Sequence, residues 1–143
     1  MVPELFESID KVKDVNNISD PVKKRAYVKL VVNIQESCLK IHLNSLKIDT
    51  PKDYLEAVKT YEMLKACAVY RHNEKTGKNE IVEPLNELLK QLKQRIMIAS
   101  SKFSKEEKEE MKKYYNLWQE EMVSYGHIYE IERQEDEDFL SFA

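Results

Sequence analysis

Two glycines and four prolines are the only strong breakers of backbone regularity in 143 residues, and that scarcity constrains the fold more than any other feature. Tight hairpins draw on Gly, Pro or Asn-Gly at set turn positions, so a chain nearly without them has few routes to a multi-stranded sheet. Long uninterrupted helices are the natural alternative. Two of the prolines suit helix starts: Pro21 and Pro51 each follow a residue that caps a helix well, and the first helical position needs no N–H.

Apolar spacing fills in the helices. Val2, Leu5, Phe6, Ile9 and Val12 predict a short leading helix, which "NNISDP" ends, with Ser19 or Asp20 as the next cap. From Val22 to about Lys47 the chain carries its widest apolar arc. Val22, Ala26, Leu30, Ile34, Cys38 and Ile41 form one line, with Val28, Val31, Val32, Leu39 and Leu43 beside it, which predicts a central helix. Its start is basic, through Lys23, Lys24, Arg25 and Lys29. "DTPKDY" opens a further helix with Thr50 as cap and Asp53 three residues on, and Tyr54, Val58, Tyr61, Leu64 and Ala68 fall in register behind it. "RHNEKTGKNE" has no apolar residue and one Gly, and reads as an exposed loop.

Beyond the loop, Ile81, Leu85, Leu88, Leu92, Ile96 and Ala99 follow a near-heptad line with Leu89 beside it, and Pro84 belongs in the first turn. "SKEE" at residues 104–107 is a capping box. It opens a last helix with Met111, Tyr115, Trp118, Met122 and Tyr125 inward, closed by Gly126. The fold expected is all-α: an antiparallel four-helix bundle with a short N-terminal helix over residues 1–126, then an extended acidic-aromatic tail over residues 127–143.

With 42% hydrophobic and 34% charged residues, the chain has apolar content enough for one core and a densely ionic surface. No run approaches the ~20 apolar residues of a membrane span, and no secretory leader opens the chain, so a cytoplasmic protein with no membrane contact is expected. The richness in Lys, Glu, Ile and Tyr leans towards a thermophilic source. Cys38 and Cys67 lie among apolar neighbours as buried thiols, and a thermophilic source would also admit a disulfide between them.

Charge concentrates at the C-terminal end. Residues 127–143, "HIYEIERQEDEDFLSFA", hold six acids against Arg133, a formal −5, which leaves residues 1–126 at +2 of the net −3. A run of like charge repels itself and is usually a solvated tail. Phe139, Leu140 and Phe142 argue for more: apolar residues exposed beside acids suit a partner with a basic rim around an apolar pocket. The expected partner-binding set is therefore Glu130, Glu132, Glu135, Asp136, Glu137 and Asp138 for steering, with Phe139, Leu140 and Phe142 as anchors.

Nothing in the chain encodes catalysis. Thr76-Gly77-Lys78 lacks the spaced glycines of a phosphate loop, and His42, His72 and His127 are scattered without metal-ligand spacing. The cysteines form no Cys-x-x-Cys. "SKEEKEEMKK" pairs its acids with lysines, as a solvated helix face does. No enzyme, cofactor or metal site is expected. Tyr54, Tyr61, Tyr114, Tyr115 and Trp118 would stack on bases if exposed, but at helical spacing they belong to a core, so direct nucleic-acid binding is not expected.

The helical architecture, the thermophile-like composition and above all the end "YEIERQEDEDFLSFA" resemble the small helical-bundle proteins of the archaeal Acidianus two-tailed virus. That family includes a virion structural protein and an inhibitor of the host RNA polymerase. The resemblance implies a non-enzymatic viral protein that wedges its bundle and tail into the DNA-binding channel of the host polymerase and stops transcription in the host cytoplasm. A basic channel built for DNA would accept the acids of residues 135–138 in place of phosphates. The alternatives are a virion structural protein that self-associates through helix faces, and a small helical subunit of a replication or transcription complex.

Overall fold

The computed structural model describes residues 19–124 together with Phe139 and Leu140. Among these are four α-helices, α1 (Pro21–Ser45), α2 (Pro51–Cys67), α3 (Leu85–Ala99) and α4 (Lys105–Ser124). A two-stranded antiparallel sheet, β1 (Tyr70–Asn73) and β2 (Lys78–Ile81), stands between α2 and α3 in the chain. One turn of 3-10 helix, Ser100–Lys102, follows α3. The protein is mostly helical, as expected, with a small hairpin that the helical reading does not include. The expected leading helix and the end at Gly126, with the boundary between residues 126 and 127, lie outside the described residues.

The chain divides into two units, one of residues up to Ser45 with Cys67–Lys90, the other of Leu46–Ala66 with Gln91 onwards. In the first, Asp20 is the cap of α1: its Oδ1 accepts from the backbone N–H of Val22 (2.9 Å) and of Lys23 (3.4 Å). The buried face of α1 is Val31, Gln35, Cys38 and Leu39, a stripe at helical spacing. Gln35 Nε2 donates to the carbonyl of Cys67 at 2.8 Å, so a buried amide satisfies one of the acceptors left open where α2 ends. Cys38 and Cys67 are both buried as thiols.

The hairpin pairs Tyr70 with Ile81 and Asn73 with Lys78, and four residues, 74–77, turn it. Asn73 supplies both turn acceptors: its Oδ1 takes the N–H of Lys75 (2.9 Å) and its carbonyl that of Gly77 (2.8 Å). Gly77 has φ +70°, the left-handed conformation that closes a four-residue loop. The expectation of a loop rests on the lack of apolar alternation, and the strands are in fact polar and largely exposed. Ile81, expected to head the α3 stripe, belongs to β2. Pro84 stands at the entry to α3, its carbonyl accepting from Leu88 N–H at 3.2 Å.

The second unit holds most of α2, the C-terminal half of α3, and α4. Both capping boxes are formed. Thr50 Oγ1 accepts from Asp53 N–H while Asp53 Oδ2 accepts from Thr50 N–H, each at 3.1 Å. Ser104 and Glu107 exchange the same pair of bonds at 3.1 and 3.0 Å. Leu92, Ile96 and Ala99 of α3 and Met111, Tyr115 and Trp118 of α4 are buried at the expected spacing. Arg95 and Lys102 donate to the carbonyls of Leu46 (2.8 Å) and Ile48 (2.9 Å), and so hold the segment leading into α2.

The most enclosed helix is α2, which corrects the expectation that the helix of residues 22–47 is central. Tyr54, Leu55, Ala57, Val58 and every one of residues 60–64 are buried, whereas Val22, Leu30 and Ile41 of α1 are exposed. Apolar count misleads here because α2 buries polar residues with partners. Thr60 Oγ1 donates to Glu56 O at 2.8 Å, and Glu62 meets Tyr115.

Candidate functional site

Helix α2 carries a seat for the C-terminal segment within the second unit. The Thr50–Asp53 box fixes the first turn, so Tyr54 sits at a set position one residue after it and Tyr61 lies two turns further along the same face. Asp53 accepts from the N–H groups of Asp49 and Thr50, and these bonds hold its carboxyl below the usual carboxylate range. The Tyr54 ring packs against Phe103 with centroids 5.2 Å apart, and its hydroxyl donates to the carbonyl of Phe139 at 2.6 Å. Tyr61 meets the Phe139 ring edge to face, 5.5 Å apart at 89°.

Phe139 and Leu140 are thereby buried, at 7% and 4% exposure, in place of the exposed anchors expected from the sequence. The physical reason is that α2 offers two aromatic faces and a hydroxyl donor to a segment otherwise left in water. Burying the two side chains contributes roughly 3–6 kcal/mol. Fixing two backbones costs roughly 2–4 kcal/mol, so the seat holds its occupant by a small margin. Glu130, Glu132, Glu135, Asp136, Glu137, Asp138 and Phe142 lie outside the described residues.

A second cluster stands further along α2. Tyr115 Oη approaches both carboxylate oxygens of Glu62, at 2.5 and 2.6 Å, a bifurcated donation from one hydroxyl. The Trp118 ring lies 5.9 Å from that of Tyr115, with Lys59 Nζ 5.9 Å from the Trp118 centroid and 3.4 Å from Glu56. Glu62 and Tyr115 are buried, so this acid and hydroxyl tie α2 to α4 and present no reactive group to water.

Of the aromatic residues weighed for base stacking, Tyr54, Tyr61, Tyr115 and Trp118 are buried and only Tyr114 is exposed. The basic start of α1, Lys23, Lys24, Arg25 and Lys29, has one aromatic residue among it, the half-buried Tyr27. His72 is engaged on the hairpin with Asn79 at 3.1 Å. Among the described residues, no group of three or more His, Cys, Asp or Glu is placed to hold a metal ion, and no helix is long and apolar enough to cross a membrane.

Sequence reasoning placed Tyr54 and Tyr61 on one helix face but had no signal linking them to Phe139, 85 and 78 residues away. The Glu62–Tyr115 bond was missed for the same reason. Its only trace is an acid inside the apolar run "VKTYEMLKACAV". No protein-family model, curated protein or solved structure matches the chain.

Proposed function

We propose that the chain is a non-enzymatic protein-binding inhibitor that acts on a large partner with a basic surface. The observation that carries this reading is the seating of Phe139 on Tyr54 and Tyr61 directly after four consecutive acids. Glu135, Asp136, Glu137 and Asp138 immediately precede Phe139 in the sequence, so the acids that would steer and the residue that would anchor are joined in one segment. Body and acids then meet a partner together. The resemblance of residues 129–143 to the Acidianus two-tailed virus proteins names the partner: an archaeal host RNA polymerase, whose DNA-binding channel is basic because it holds phosphates. The body, at formal +2, contributes by shape and wedging, and the acids by occupying ground meant for DNA. Arrangement of the four helices as an antiparallel bundle, and action in the host cytoplasm, belong to this proposal.

The test is binding to purified archaeal RNA polymerase and inhibition of promoter-directed transcription at low and high salt. The intact chain is compared with a chain ending at Gly126 and with a chain in which Glu135, Asp136, Glu137 and Asp138 are changed to their amides. Binding by the intact chain that weakens with salt and in both variants supports the reading. Absence of binding by the intact chain at low salt ends it. A second reading, self-association as a structural protein, draws on Tyr114 and Leu117, exposed one turn apart on α4. Assembly that grows with concentration and survives loss of residues 127–143 would favour it.

A further inference from the structure

Phe139 and Leu140 cannot anchor a partner while they are buried, and both are buried, Phe139 against Tyr54 and Tyr61 of α2. This goes one step beyond the proposed function and rests on it. The carbonyl of Phe139 is taken by Tyr54 Oη at 2.6 Å, the ring by Tyr61 at 5.5 Å, and Leu140 is 4% exposed. Any apolar pocket on a partner that accepts these two side chains must first empty the seat.

We infer that the Tyr54–Tyr61 seat is an intramolecular competitor for the partner: the chain exists as a seated, low-affinity form and a released, docking-competent form. The apparent affinity is then the intrinsic affinity multiplied by the released fraction. The seat has the features such a competitor needs. It recognises the segment through one hydrogen bond to the main chain and one edge-to-face ring contact, both non-covalent. Tyr54 and Tyr61 stand on α2, and with the seat filled both are buried. A partner is held back until its own pocket outcompetes the seat. A surface that offers charge alone, without an apolar pocket, leaves the seat filled.

The experiment uses the full chain with a fluorinated phenylalanine at position 139, so that seated and released forms are counted by fluorine NMR. Affinity for purified archaeal RNA polymerase is measured in parallel. Tyr54→Phe keeps the ring and removes the hydroxyl that donates to Phe139. The released fraction is expected to rise about fivefold, the effect of one ordinary hydrogen bond, and the affinity to rise by the same factor. Tyr61→Leu weakens the seat independently and serves where Tyr54→Phe loses helical content. Phe139→Ala lowers affinity, because it removes the anchor along with its restraint.

A released fraction that rises while affinity stays level or falls overturns the competitor and leaves the polymerase reading standing. A resonance that reports one exposed environment in the unmodified chain overturns the seat itself. Failure of the unmodified chain and of Tyr54→Phe alike to bind the polymerase removes the reading beneath, and the competitor with it.

Discussion

Asp53 is small, half-buried and bonded to its chain neighbours, and it has a measurable signature. Its carboxylate accepts from the N–H groups of Asp49 and Thr50, which depresses its pKa below the ordinary 3.8. A depressed pKa contributes stability that is present above the unfolded value and is lost as pH falls through the folded one. Asp53→Asn removes that contribution. The stability gap between native and variant chains should therefore be widest near neutral pH and shrink as the pH falls through and below the ordinary carboxylate range in urea titrations. A gap independent of pH would remove the carboxylate from the account. Tyr115 makes the opposite kind of contact, buried and between residues 53 positions apart. Tyr115→Phe leaves Glu62 without that donor and should destabilise by about 1–3 kcal/mol in denaturant unfolding. A change under about 0.5 kcal/mol, the usual scatter of surface substitutions, would mean Glu62 draws nothing from the hydroxyl. These two residues also mark what a sequence makes legible. The Thr50–Asp53 and Ser104–Glu107 boxes close within four residues and read directly, whereas a bond across 53 residues leaves only an acid in an apolar run.

At the scale of elements, the same divide separates the helices from the hairpin. All four described helices were legible through their apolar stripes, and α1, α2 and α4 begin directly after the caps Asp20, Thr50 and Ser104. Depth of burial was not legible. The richest apolar arc belongs to α1, yet α2 is the enclosed helix, because burial depends on what surrounds a helix and on whether its polar groups find partners. The hairpin escaped because period-two alternation marks a strand with one buried face, and these strands have none. What specifies it is local: Asn73 as double acceptor and Gly77 at φ +70°. A methyl placed on Gly77 would have nothing within 4 Å, so a side chain there meets a backbone penalty and no clash. Gly77→Ala should cost about 1–2 kcal/mol of hairpin stability, and Gly77→Asn less, because Asn tolerates the left-handed region. Hydrogen exchange of the strand amides reads this directly. Equal protection in the native and Ala chains would show that the turn closes without a left-handed residue.

For the molecule as a whole, the charge asymmetry was legible in the sequence and its consequence was not. A −5 end on a +2 body predicts a tail held off by its own charge, yet Phe139 and Leu140 are buried. Burial and repulsion make opposite demands, and salt separates them. A chain ending at Asp138 loses Phe139 and Leu140, together with Ser141, Phe142 and Ala143, but keeps all six acids. If seating contributes to the native state, this chain should be less stable than the full one by roughly 1–3 kcal/mol, the margin of side-chain burial over ordering. The loss should appear as a lower urea midpoint, with an equal or smaller slope since less surface is buried on folding. Raising salt screens the acids, whose effects are carried over a Debye length of ~10 Å at 0.1 M, but leaves apolar burial intact. A difference that persists from low to high salt therefore assigns the contribution to the Phe139–Leu140 seat. A difference that vanishes in salt assigns it to charge, and equal midpoints at every salt concentration would place Phe139 and Leu140 outside the folded core in solution.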